Sequence, residues 1–397
     1  GRKRQINQSN CNKDMSCLGG FCPSFVTIEG AERRKPKPAD IDIDALMKRV
    51  PLPALPSLET PFNLLVTGVG GTGVVTVGQL ISMAAHLEGK GASILDFTGF
   101  AQKFGSVLSF VRIGQDPGQI HQVRIDTGMT DAVIGCDVVV SSSPKASGTY
   151  SARTRVALNT ASMPTGDLVM KRDADLNIDG RRSSIEAVVG ADNLASFDAN
   201  AASEALFGDA VFANVMMLGF AWQQGLVPVS LDALMRAVEL NNVAVDNNKR
   251  ALACGRLMAA DPSALTEHLN PSSDIATSLD EIIDRRAVFL EGYQNAAWAN
   301  RYRSRMRDFV ARMPVAEADD LATRAARSLF KLMSYKDEYE VARLHRDKSF
   351  LASLTDRFEG DFKLVHHFAP PLLASGKDAR GRPLKRAFGP AIRPALS

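Results

Sequence analysis

A glycine-rich turn set between an apolar strand and an amphipathic helix limits what this chain can fold into more than any other feature. Phe62-Asn63-Leu64-Leu65-Val66-Thr67 reads as a short apolar strand, Gly68-Val69-Gly70-Gly71-Thr72-Gly73 follows directly, and a helix runs on to about His86. Glycines let a backbone turn tightly and approach a phosphate, whose charge the free N–H groups and positive dipole of a helix start favour. After the Gly89-Lys90-Gly91 turn comes a second buried strand, Ala92-Ser93-Ile94-Leu95-Asp96, and Asp137-Val138-Val139-Val140 reads as a further strand. Strand, glycine turn, helix, strand opens a parallel α/β sheet, so the central part of the chain is expected to be Rossmann-like and doubly wound. Asp96 ends its strand where it would accept a ribose hydroxyl, which raises a nicotinamide or flavin dinucleotide as one ligand. The same glycines would also serve simply to pack helix on strand.

The 397 residues, at roughly 100 to 200 per domain, make two or three domains. A net charge of +3 gives no argument for nucleic acid, and no apolar stretch approaches the roughly 20 residues of a membrane helix. Only five cysteines occur, three clustered and two isolated (Cys136 and Cys254, in apolar surroundings), which fits a reducing, cytoplasmic compartment better than a secreted disulfide framework.

The clustered three are Cys11, Cys17 and Cys22, the last followed by Pro23. A cysteine run closing in Cys-Pro is how ferredoxin-type segments finish. Zinc is the rival reading, but it favours paired Cys-x-x-Cys knuckles or a nearby histidine, and no histidine stands in the first eighty residues. Ordinary cysteines are the third possibility. Three thiolates do not complete a four-iron cluster, and the chain begins at Gly1 without Met, signal peptide or hydrophobic span. The remaining ligand is therefore expected upstream.

Composition marks the other boundaries. Residues 1–30 form a cysteine module with a short strand at Phe25-Val26-Thr27-Ile28; residues 31–58, rich in Lys, Arg and Pro, read as an extended linker. The α/β domain spans 59–258 and turns helical after 202, with Ser230 as a helix N-cap. From 259 to 397 two long amphipathic helices are expected, Leu279 to Met313 and Leu321 to Leu344, before an irregular tail. Within the α/β domain, Gln102 and Lys103 lie on a loop past a strand end, where open α/β sheets bind ligands, and a partly buried Arg112 would need an anionic partner. His366 and His367 are adjacent and so point opposite ways, one to the core and one to the surface. Tyr335 and Tyr339, at i and i+4, read as a packing stripe. Neither a serine nucleophile elbow nor a Walker lysine is present, and no catalytic residue is assigned.

Several stretches resemble one family. Asn10-Cys11-Asn12-Lys13-Asp14-Met15-Ser16-Cys17, with Gly20-Phe21-Cys22-Pro23-Ser24-Phe25-Val26-Thr27, is similar to the second half of the ferredoxin module in the long, fused indolepyruvate ferredoxin oxidoreductases. Gly68-Val69-Gly70-Gly71-Thr72-Gly73-Val74, Ala101-Gln102-Lys103, Val111-Arg112-Ile113 and Gly135-Cys136-Asp137 resemble the gamma-type domain shared by 2-oxoacid:ferredoxin oxidoreductases. Phe330-Lys331-Leu332-Met333, Tyr335-Lys336-Asp337-Glu338-Tyr339-Glu340-Val341-Ala342-Arg343 and Ala369-Pro370-Pro371-Leu372-Leu373 resemble the C-terminal domain of the fused enzymes, the second of these being the most specific. The chain departs from the family pattern at Phe104 and Phe110, where glycine and histidine are usual.

The resemblance implies part of an enzyme that oxidatively decarboxylates an aryl 2-oxoacid to acyl-CoA and carbon dioxide, passing electrons through iron-sulfur clusters to ferredoxin. Cys11, Cys17 and Cys22 would be ligands of 4Fe-4S clusters completed by upstream residues, with Cys22, before the closing proline, serving a different cluster from the other two. Thiamine diphosphate and magnesium would sit in an upstream domain of the same polypeptide, so the fragment alone would be inactive. Coenzyme A, the co-substrate, would be cradled by Gly68, Gly70, Gly71, Thr72, Gly73, Gln102 and Lys103. A homo-oligomer is implied, without nucleic acid or membrane. Two rivals remain: a non-catalytic scaffold or dimerisation portion of such an enzyme, and a NAD- or flavin-dependent oxidoreductase on the same glycine turn.

Overall fold

The computed structural model describes residues 6, 8, 11, 13, 15–19, 24–34, 41–99, 105–161, 175–269, 278–313, 318–369, 376–377, 381 and 383–392. They form two compact units, one of Pro36–Pro271 and one that combines Gly1–Lys35 with Ser272–Ser397.

The central unit is built on strand β1 (Phe62–Val69), of which all but the first residue is buried because both faces of the sheet are covered. With β2 (Gly91–Thr98), β3 (Ser106–Gly114), β4 (Ala132–Gly135), β5 (Arg155–Asn159) and β6 (Leu194–Phe197) it makes a six-stranded sheet in the order β2-β3-β1-β4-β5-β6. β1, β4, β5 and β6 run parallel, in register from Leu64↔Ala132 and Ala132↔Arg155 to Val156↔Leu194. The other half corrects the expectation of a parallel sheet. β3 lies antiparallel between β1 and β2, paired from Phe62↔Ile113 to Val69↔Ser106 on one side and from Gly91↔Gly114 to Thr98↔Val107 on the other. A short connection suits an antiparallel return, whereas a parallel one needs a dozen residues or more. The strand read at Asp137–Val140 is likewise displaced. The strand is β4, and Asp137 instead caps the helical turn Val138–Ser141, its Oδ1 accepting from Val140 N at 2.8 Å.

On one face of the sheet, Leu64, Val66, Val111 and Ile113 pack under helix α1 (Val74–Leu87) together with α2 (Ala213–Gln223), α3 (Leu231–Asn241) and α4 (Val245–Ala260). Ser230 caps α3 as its sequence suggests, accepting from Ala233 N at 3.2 Å. α2 is buried from Ala213 to Trp222 and apolar on every side, the signature of an interior helix. It crosses α4 with backbones touching: a Cβ on Gly219 would overlap Leu252 O, and one on Gly255 would overlap Met216 O. The opposite face buries Leu65, Leu108, Phe110, Val133 and Ile185. Inside the stretch read as linker, Asp42 caps a helix at Ile43–Met47, and the buried Ile43 packs into the central core.

In the terminal unit, α5 (Leu279–Tyr293) opens with a capping box from Ser278 and Glu281, and packs with α6 (Ala296–Val310) and α7 (Ala318–Met333) around Leu290, Tyr302 and Met306. The Tyr302 hydroxyl donates to Ala326 O at 3.0 Å, satisfying the one polar atom of that core side chain. Helices α8 (Glu338–Arg346) and α9 (Lys348–Arg357) follow. The tail is not irregular throughout: Lys363–Phe368 pairs antiparallel with Val26–Glu29, from Val26↔His366 to Glu29↔Lys363, and with Arg386–Phe388. Tyr335 and Tyr339 are 74% and 86% exposed and do not form a packing stripe. Asp337 caps α8 between them, so they do not share one helix and the i, i+4 relation does not apply.

Candidate functional site

The carboxyl ends of β1, β4 and β5 bring the glycine turn, Cys136-Asp137 and Asn159 to one edge of the sheet. Gly71 and Gly73 adopt φ of +84° and +94°, conformations that side chains resist, and they deliver the chain into α1 with Gly73 at the N-cap and no side chain capping the helix start. The first N–H groups of α1 are thus left uncapped by side chains, which is the arrangement that accepts an anion. The turn itself is held from within. Gly70 N donates to Gly105 O at 2.7 Å, the Thr72 hydroxyl donates to Val69 O at 2.8 Å, and Asn214 Nδ2 on α2 donates to Thr72 O at 2.7 Å. Gly68 serves packing: a Cβ there would press on Val74 and Cys136. Gln102, Lys103 and Phe104 lie outside the described residues.

Behind the turn is a buried polar net that the sequence did not single out. Thr67 Oγ1 and Ser141 Oγ are 2.7 Å apart, Asn159 Nδ2 donates to Cys136 O at 3.1 Å and to Asn200 Oδ1 at 2.9 Å, and Asn159 Oδ1 accepts from Ala161 N and Ala199 N. Asp137 is 1% exposed, and its Oδ2 has no hydrogen-bond partner among the described residues. Burial pushes its carboxyl up to about 6, against the opposing pull of the Val140 and Val139 N–H groups and the Arg181 charge. The one available signal for Asn159 and Asn214 was a lone amide in an otherwise apolar run.

Asp96 is not placed to read a ribose. β3 stands between its strand and β1, so it lies two strand spacings, roughly 10 Å, to the side of the turn, and its Oδ1 accepts from the Ser109 hydroxyl. Dinucleotide folds put that acid on the neighbouring strand. Cys136 and Cys254 are core residues, buried enough to push both thiols up. Arg112 donates from Nη1 to Gln122 O at 3.1 Å in the wall of an open cleft of about 440 Å³ with Glu59, Gln119 and His121, and no carboxylate forms an ion pair with it among the described residues. This cleft is at the end of β1 away from the glycine turn.

Cys11 and Cys17 are half-buried, Cys17 within the 3-10 turn Ser16–Gly19, and Lys13 N donates to Cys11 Sγ at 3.3 Å. An N–H group aimed at sulfur suits a thiolate ligand. Cys22 lies outside the described residues, and among those described no three His, Cys, Asp or Glu side chains converge to hold a metal.

Residues 63–258 match the family described as pyruvate ferredoxin/flavodoxin oxidoreductase, and residues 279–397 match a family of unknown function (DUF6537). The indolepyruvate oxidoreductase subunit IorB of Thermococcus kodakarensis is 27% identical over 207 residues, covering 49% of this chain and 94% of the relative. Residues 63–258 thus carry a domain of the pyruvate ferredoxin/flavodoxin oxidoreductase family, similar to that relative. IorB of Methanothermobacter thermautotrophicus is 28% identical over 205 residues, 50% of this chain and 98% of that one. Among solved structures, pyruvate oxidoreductase subunit PORC of Thermotoga maritima aligns with 50% of this chain and 96% of its own, at 20% identity and a TM-score of 0.37. The matched domain thus lies within the central unit, with the glycine turn at the carboxyl end of β1. No helix among the described residues is long and apolar enough to cross a membrane.

Proposed function

We propose that this chain is part of a cytoplasmic enzyme that converts an aryl 2-oxoacid of the indolepyruvate kind, with coenzyme A, to acyl-CoA and carbon dioxide and passes the electrons through iron-sulfur clusters to ferredoxin. The observation that carries the reading is the uncapped start of α1 behind Gly71 and Gly73, inside a segment that matches the oxidoreductase family. There Gly70 to Gly73 and the first N–H groups of α1 would hold a phosphate of coenzyme A, and the family resemblance adds Gln102 and Lys103 to that set. Cys11, Cys17 and Cys22 would supply thiolates to 4Fe-4S clusters; the Lys13 N–H to Cys11 Sγ supports that donor set. Thiamine diphosphate with magnesium, on another domain of the same polypeptide, would supply the carbon chemistry. Electron transfer to ferredoxin and assembly into a homo-oligomer belong to the same proposal.

A second reading, a scaffold without ligand, draws on the way Thr72, Asn214 and Gly105 satisfy the turn from inside. Calorimetric titration of coenzyme A into the chain separates the two. Binding that Gly70→Val abolishes supports the cradle, and no binding by the unaltered chain overturns it. For the cysteines, anaerobic reconstitution of the full-length protein followed by electron paramagnetic resonance should show cluster signals that Cys17→Ala alters; unchanged signals reject the ligand assignment.

A further inference from the structure

His345 on α8 is 6% exposed and His366, on the strand Lys363–Phe368, is wholly buried. Their Nδ1 atoms are 3.1 Å apart, and Nε2 of His345 lies 3.4 Å from Ser24 O. A carbonyl only accepts, so Nε2 of His345 carries the hydrogen, its Nδ1 is bare, and His366 donates from Nδ1. His345 stacks on Phe350 and His366 on Phe368, with centroids 5.6 and 5.7 Å apart. Beyond Ser24 the N-terminal segment continues onto the same strand: Val26 faces His366 in register, and Thr27 Oγ1 is 3.0 Å from His367 Nε2. Ser24 follows Cys22 by two residues, so these contacts fix the end of the cysteine segment.

The pair tolerates protons poorly. One proton buries a positive charge between phenylalanine rings with Lys336 facing His345; a second sets two N–H groups against each other at 3.1 Å. The other charged groups nearby are Glu340 and Arg343 on α8, which pair with each other at 2.7 Å, Asp347 at the start of α9, which faces Arg343, and Lys385 and Glu29, which face His367.

We propose that the neutral His345–His366 pair is a positioning device for the cysteine segment, fastening Ser24 to the terminal sheet at neutral pH and releasing it as the pair takes up a proton. The purpose assigned to the clamp rests on the cysteines being cluster ligands; the fastening does not. Burial, helped by the Lys336 charge, lowers His345 against the opposing pull of the Ser24 carbonyl, so the pair as a whole resists the proton; the fastening is complete above the ordinary histidine range of about 6.5 and weakens as pH falls below it.

Hydrogen exchange by mass spectrometry on the full chain, corrected for intrinsic rate, reads this directly. Between about pH 7.5 and 5.5, protection of residues 24–29 should fall by up to roughly tenfold per pH unit below 6.5, the limit for one proton, while residues 296–310 hold theirs. His345→Gln donates to Ser24 O and does not titrate, so its profile should be shallower than that of the unaltered chain, with His366 and His367 left to titrate; His366→Asn tests the same point should the first variant fold poorly. A flat profile in the unaltered chain, or an unchanged slope in both variants, overturns the clamp. Cys17→Ala should leave the profile as it is, so failure of the cluster assignment and failure of the clamp give different results.

Discussion

Asp137 in the central unit and the His345–His366 pair in the terminal unit are both buried titratable groups held by hydrogen bonds, and pH moves the two units in opposite directions. Burial disfavours whichever form is charged. For Asp137 that is the high-pH form: a carboxyl pushed up to about 6 contributes stability below the ordinary carboxylate range that is lost as pH rises through 6. For the histidines it is the low-pH form, and stability goes as pH falls. The two settings also differ in what surrounds the group. Asp137 is locked by a cap three residues away, in a sheet edge with helices over it, whereas His345 reaches across 321 residues to Ser24. One polar group is organised by its own turn and the other by the meeting of the chain's two ends.

That contrast can be broken at several points. The largest effect is expected from Gly255→Val, which drives a side chain into the α2 backbone and should cost about 4 kcal/mol or more, abolishing the cooperative unfolding transition of the central unit by circular dichroism. Exchange protection of residues 363–368 that survives this change would show that the terminal unit folds by itself. Leu65→Ala, wholly buried in β1, should cost roughly 3 to 4 kcal/mol in urea unfolding, the toll of a cavity in a sheet covered on both faces. Asp137→Asn keeps the cap and removes the charge. It should erase a decline of about 2 to 3 kcal/mol that the unaltered protein shows between about pH 4 and 7, and an equal decline in both proteins would assign the pH response elsewhere. The smallest change, Thr27→Val, removes the bond to His367 and should weaken protection of residues 24–29 by about 1 kcal/mol without altering the Asp137 response.

Local chemistry explains which features were legible in advance. β1, the glycine turn and α1 are contiguous, and each announces itself by pattern; Ser230 before an amphipathic run behaves as the cap it looks like. Cys136 and Cys254 sit in apolar stretches and are buried. The failures share a different cause. Val138-Val139-Val140 has the composition of a strand, yet β4 has already ended at Gly135 and Asp137 offers a helix cap. Nothing local distinguishes an antiparallel β3 from a parallel one, because both are apolar runs covered on both faces. Tyr335 and Tyr339 have helical spacing, but Asp337 starts a new helix between them. Asn159 and Asn214 look like stray polar residues until the end of β5 and the start of α2 bring them to the turn.

Sequence by itself determined the local pieces of this protein: a glycine turn whose positive φ angles only glycine tolerates well, a helix start free of side-chain caps, cysteines clustered ahead of a proline, and amphipathic helices beyond residue 278. These follow from steric and periodic rules that act over a few residues. Tertiary structure alone decided that β3 would separate Asp96 from the turn, that Asp137 would be buried beside it, and that Val26–Glu29 would find its partner strand more than three hundred residues away. Those outcomes depend on which apolar faces meet, and extending a loop adds so slowly to the entropy of closing it that sequence distance leaves no mark on the choice.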